Sequence, residues 1–125
     1  MNCDELRAYI DHAYNAKAEF LWSKSPNSMI FRHSNNRKWF AAVLKVEKTK
    51  LGLSESGIIY VLNVKCDPIM IGSFVHEPGF FPAYHMNKEN WISILLGDST
   101  NDEKIRMLLD VSYELTSKKH KKKSV

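Results

Sequence analysis

The chain has 125 residues, of which 44% are hydrophobic and 26% charged, with a formal net charge of +4. That size and balance describe one soluble globular domain with enough apolar material for its own core, so neither a disulfide framework nor a structural metal is required. No uncharged run approaches the ~20 residues that cross a bilayer, no apolar leader follows Met1, and Cys3 and Cys66 have neither CxxC nor zinc-type spacing, which together predict a reducing, cytoplasmic setting.

The charge is unevenly placed. Residues 24–50 carry seven basic side chains against Glu47 alone, a net of +6, while residues 51–117 carry four basic and nine acidic side chains, a net of −5. Residues 118–125 add five lysines and offer nothing to bury, so they read as a disordered basic tail behind a single domain spanning 1–117.

In chain order, residues 3–17 read as an amphipathic helix. Asn2 stands as N-cap, Glu5 lies in the first turn, and Leu6, Ile10, Ala13 and Tyr14 form one stripe. Residues 18–28 turn to loop chemistry, with Phe20 and Trp22 expected under the helix. Met29–His33 and Trp39–Val46 read as a β-hairpin around Ser34-Asn35-Asn36, where asparagine tolerates positive φ. Arg32, His33, Arg37 and Lys38 cluster at its tip, and Lys45 lies further along the return strand. After a polar connection, Ile58–Lys65 is β-branched and apolar on both faces, as a central strand is. Asp67-Pro68 opens a helix, with the cap residue followed by proline at the first helical position.

Residues 78–97 are the most distinctive stretch. Pro78 and Pro82 forbid a continuous helix through its first half, so Phe80, Phe81 and Tyr84 are set by an extended or irregular backbone to His85. Trp91–Leu96 reads as a strand, and residues 101–117 as a final helix capped by Thr100 or Asn101, its stripe formed by Ile105, Leu108, Leu109, Ser112, Tyr113 and Leu115. The sum is an α+β two-layer sandwich: an antiparallel sheet with helices on one face.

Two clusters are candidates for binding. The cations Arg32, His33, Arg37, Lys38 and Lys45 could meet phosphate as a basic wing, and Lys65, Tyr84, His85 and Lys88 could form an anion pocket. A thiol–imidazole pair from Cys66 with His85 or His76 lacks a neighbour that would lower the thiol pKa. His76, His85 and Cys66 lack the local pairing of metal ligands. The expectation is therefore a binding protein rather than an enzyme, without catalytic residues, metal or cofactor.

Several motifs occur together and in order: Phe31-Arg32-His33, Lys38-Trp39-Phe40, Leu51-Gly52-Leu53, Lys65-Cys66-Asp67-Pro68, Pro82-Ala83-Tyr84-His85-Met86-Asn87-Lys88 with Trp91 downstream, and Ser112-Tyr113-Glu114-Leu115-Thr116. With these the chain resembles the YjbR/MmcQ-like family over about residues 5–117. The resemblance implies a frataxin-like α+β fold and a DNA-binding label that rests on fold comparison; it implies no catalytic residues, and the tail lies outside its pattern. Charge and resemblance together make weak, sequence-nonspecific DNA binding through the hairpin the leading expectation. The alternatives are a protein- or peptide-binding adaptor and a binder of small anionic metabolites.

Overall fold

The computed structural model describes residues 1–97 and 100–117. The expected turn at Gly97-Asp98 lies partly, and the expected tail wholly, outside the described residues. Helix α1 spans Cys3–Tyr14, strands β1 and β2 span Met29–Arg32 and Trp39–Glu47, and a short 3-10 turn covers Lys48–Leu51. Strand β3 (Ile58–Lys65), helix α2 (Pro68–Phe74), strands β4 (Phe80–Pro82) and β5 (Trp91–Leu95) and helix α3 (Asp102–Thr116) follow. The five strands pair antiparallel in the order β1-β2-β3-β5-β4. The α+β sandwich expected from the sequence is the fold observed, with β3 at the centre of the sheet.

Local chemistry sets most boundaries. Asn2 caps α1 in a reciprocal box: its Oδ1 accepts from the Glu5 amide at 2.8 Å, and its own amide donates to Glu5 Oε1 at 2.9 Å. The helix stops at Tyr14, three residues before the expected end, because Asn15 turns left-handed at φ 52°. Asp67 caps α2, with Pro68 opening the helix as read from the sequence. Asn101 is the cap of α3, accepting from the Glu103 and Lys104 amides.

One face of the sheet carries the helices. Leu6 and Ile10 of α1 and Ile105, Leu108 and Leu109 of α3 pack on Met29, Phe31, Val43, Leu62, Val64, Ile92 and Ile94 in a single core. Strand alternation fixes this set, since Met29 faces Val43, Val43 faces Leu62, and Leu62 faces Ile94. Two residues expected on helical stripes, Ala13 of α1 and Leu115 of α3, are exposed instead, with Thr116 buried beside Leu115; in α2, Ile71 is buried while Ile69 is 84% exposed.

The opposite face is not open. Ile30, Ala42, Val61, Asn63 and Ser93 alternate onto it and are buried. Two irregular segments account for this. One starts at Glu19, whose backbone pairs with Ile30, and carries Trp22, whose ring meets Trp39 edge-on at 6.3 Å. Trp22 is therefore not beneath α1, and Phe20, also expected there, stays 48% exposed with the Arg7 guanidinium 5.1 Å from its ring centre. The second segment is the stretch after β4.

Candidate functional site

Asn63 and Ser93 stand directly opposite each other on β3 and β5, both fully buried. The Ser93 hydroxyl donates to Asn63 Oδ1, Asn63 Nδ2 donates to the Tyr84 carbonyl at 2.9 Å, and the Tyr84 amide donates to Ser93 Oγ at 2.9 Å. A buried polar pair on a sheet demands partners, and here the partners are the backbone of one loop residue. The proline-flanked stretch is thus clamped over the second face of the sheet at Tyr84.

The next residue, His85, is exposed and left-handed at φ 61°. Its ring lies against Tyr84 with centroids 3.9 Å apart and planes at 40°. Asn87 then accepts from the Glu89 amide at 2.8 Å and turns the chain into β5.

Tyr84 borders a groove on each side. One, of about 310 Å³, is lined by Trp22, Lys24, Ser25, Ser28, Leu44, Lys45, Tyr84 and His85. The other, of about 270 Å³, is lined by Lys50, Leu51, Phe81, Pro82, Ala83, Tyr84 and Lys88. No carboxylate lines either groove. Lys24, Lys50 and Lys88 are exposed and make no ion pair with a described residue. Lys45 borders the first groove, although the alternation of β2 puts it in step with Val43.

The anion-pocket candidates are therefore partly gathered: Tyr84, His85 and Lys88 share this surface. Lys65 lines neither groove; it is half-buried at the end of β3, opposite Trp91, and its amide donates to Ser112 Oγ at 2.8 Å.

The hairpin cations do not form one patch. Arg32 is half-buried and its Nε donates to Glu19 Oε2 at 2.9 Å. His33 is 5% exposed, packed against Phe40 and Tyr113, with Nε2 2.8 Å from Thr116 Oγ1. Thr116 commits its single proton to backbone carbonyls of its own helix, chiefly Ser112, so His33 is the donor in this contact. Arg37 and Lys38 remain exposed at the tip.

Sequence reasoning passed over Trp22, Lys24 and Lys50. Each lies in a connection far from residues 84–88, so no local spacing links them.

Other chemistry is weakly supported. Burial, aided by the charge of Asp67, pushes the Cys66 thiol up to about 11, the opposite of an activated nucleophile. Among the described residues no group of three or more His, Cys, Asp or Glu could hold a metal ion. No described helix is long and apolar enough to cross a membrane.

Comparison with known proteins matches the YjbR family model over residues 14–115. An uncharacterised Bacillus subtilis protein, YyaQ, is 34% identical over 113 residues, covering 90% of this chain and 96% of that one. An uncharacterised Escherichia coli O157:H7 protein, YbdF, is 34% identical over 56 residues, 43% of this chain and 45% of that protein. A Pseudomonas syringae crystal structure superposes with a TM-score of 0.90 at 36% identity, covering 94% of this chain and all of that one. A Deinococcus radiodurans structure shares the fold at a TM-score of 0.70 and 22% identity, over 98% of this chain and 83% of that one. On the span of the family match and the length of the Bacillus alignment, this chain belongs to the YjbR family.

Proposed function

We propose that this protein binds nucleic acid through charge and shape rather than base sequence, on the loop-covered face that carries Tyr84. One observation carries the reading: two grooves share Tyr84 as a common wall, and their lining includes Lys24, Lys50 and Lys88 but no carboxylate. Many of the acids that make the second half of the chain negative are engaged elsewhere. Glu77 pairs with Lys104, Asp102 with the amino terminus, and Glu55 with Lys48, while Asp110 accepts from Tyr14. Unopposed lysines beside aromatic rings suit a phosphate backbone with exposed bases nearby.

This moves the centre of binding away from the hairpin. Arg37 and Lys38 contribute as exposed charge, whereas Arg32 and His33 serve the fold. A residue 1–117 body with a net charge of −1 implies weak, salt-sensitive binding. The test is fluorescence anisotropy of labelled DNA at two salt concentrations, comparing the native sequence with a Lys24→Ala/Lys50→Ala/Lys88→Ala variant. The slope of log affinity against log salt falls by roughly 0.7–0.9 for each phosphate contact removed. An unchanged slope and affinity in the variant overturns the reading.

A further inference from the structure

We infer that the face around Tyr84 is a single-strand site, in which unpaired bases stack against the Tyr84–His85 rings while the lysines hold the phosphates. The inference rests on the nucleic-acid reading above and specifies its ligand. It starts from His85, which occupies a left-handed backbone conformation at φ 61° that is unfavourable for any residue with a Cβ. Among the described residues its side chain makes no hydrogen bond; it is exposed, and its ring contact is with Tyr84, centroids 3.9 Å apart. What sets His85 apart is its place: a left-handed residue whose exposed ring, paired with that of Tyr84, lines a groove that Lys24 and Lys45 also line.

Tyr84 gives the second part of the argument. Its backbone is fixed from below by Asn63 and Ser93, so its ring is positioned without using its own polar atoms in that clamp. Because it walls both grooves, it can present a surface to successive bases of one strand, with Trp22 lining the first groove and Phe81 the second. A duplex keeps its bases stacked inside and offers such rings only phosphate and sugar. A single strand offers both, and base–aromatic stacking is tolerant of sequence. Lys24 on one side and Lys50 with Lys88 on the other supply the complementary charge.

The experiment measures binding of the full chain to oligo-dT, oligo-rU and a DNA duplex of equal length at one salt concentration. The variants are His85→Gly, which suits the left-handed backbone and so keeps the fold, and Tyr84→Ala, whose backbone clamp is retained. The expected result is tighter binding of single strands than of duplex, with each variant weakening single-strand affinity by about fivefold or more and leaving duplex affinity unchanged. A preference for dT over rU, or the reverse, tells which strand chemistry the site takes and supports the inference either way. Equal affinity for single strand and duplex overturns the inference while leaving the nucleic-acid reading intact, and so does an equal loss on both in the ring variants. The Lys24→Ala/Lys50→Ala/Lys88→Ala variant is measured on the same probes, and an affinity equal to that of the native sequence for every probe overturns both.

Discussion

Asn63 of β3 and Ser93 of β5 meet across adjacent strands and together hold the amide and the carbonyl of Tyr84, a residue outside any strand. Two fully buried polar side chains in a sheet are a cost unless every group is paired, so the loop and the pair stabilise each other. Replacing Ser93 with Ala leaves the Tyr84 amide and one lone pair of Asn63 without partners. The expected loss is about 1–3 kcal/mol, read from urea unfolding. Asn63→Ala should cost a similar amount, and the double variant less than the sum of the two, because the pair acts as a unit. Strict additivity would mean the clamp is not one network.

Arg37 sits at the hairpin tip with φ 65°. Its side chain is exposed and forms no ion pair with a described residue, so little is lost on removing it. Arg37→Gly should stabilise the protein by up to about 1 kcal/mol, the left-handed penalty of an L-residue less the extra freedom of glycine when unfolded. Thermal unfolding checks this, and a lower midpoint would show that the guanidinium holds the tip.

The hairpin also shows where sequence reading reaches its limit. The strands at 29–32 and 58–65, the caps at Asn2 and Asp67, and the stripe of α3 apart from Leu115 depend on near neighbours and were legible. The roles of Arg32 and His33 depend on Glu19 and Thr116, and the latter is 83 positions away from His33. The left-handed residue of the turn is Arg37 rather than a neighbouring asparagine, and the hairpin register is irregular between Phe31 and Arg32; neither is written in the local sequence. The second face of the sheet looked open because β-branched strands announce burial but not what covers them. Tyr84, His85 and Lys88 were recognisable as a cluster in sequence; Trp22, Lys24 and Lys50 became their neighbours only through folding.

Cys66 supplies a pH prediction. Burial raises its thiol from an ordinary 9.0 to about 11 in the fold, so above pH 9 the unfolded chain gives up a proton that the native state retains. Stability from this group is complete below pH 9 and declines as pH rises toward 11, by about 1–3 kcal/mol. Cys3 and Tyr14, also raised chiefly by burial, act in the same direction. Urea unfolding at pH 8 and pH 10.5 should show a decline that is smaller in Cys66→Ala, whatever that variant costs at pH 8. An identical decline would mean that the thiol is not protected in the native state.

The five lysines of residues 118–125 carry the formal charge from −1 to +4. They should govern how strongly the protein is drawn to any polyanion and have no part in which form it prefers. Five phosphate contacts would correspond to a salt slope near −4.5 on duplex DNA, so deleting 118–125 should flatten the salt dependence markedly and weaken duplex and single-strand binding alike. The segment has a single ring, His120, and no Phe, Tyr or Trp, so it offers little to stack on successive bases. The ratio of single-strand to duplex affinity should therefore survive the deletion, and the ring variants at Tyr84 and His85 should change it with or without the tail. If removing the tail abolished the ratio, the preference would belong to the lysines, and the face around Tyr84 would have no say in choosing the strand.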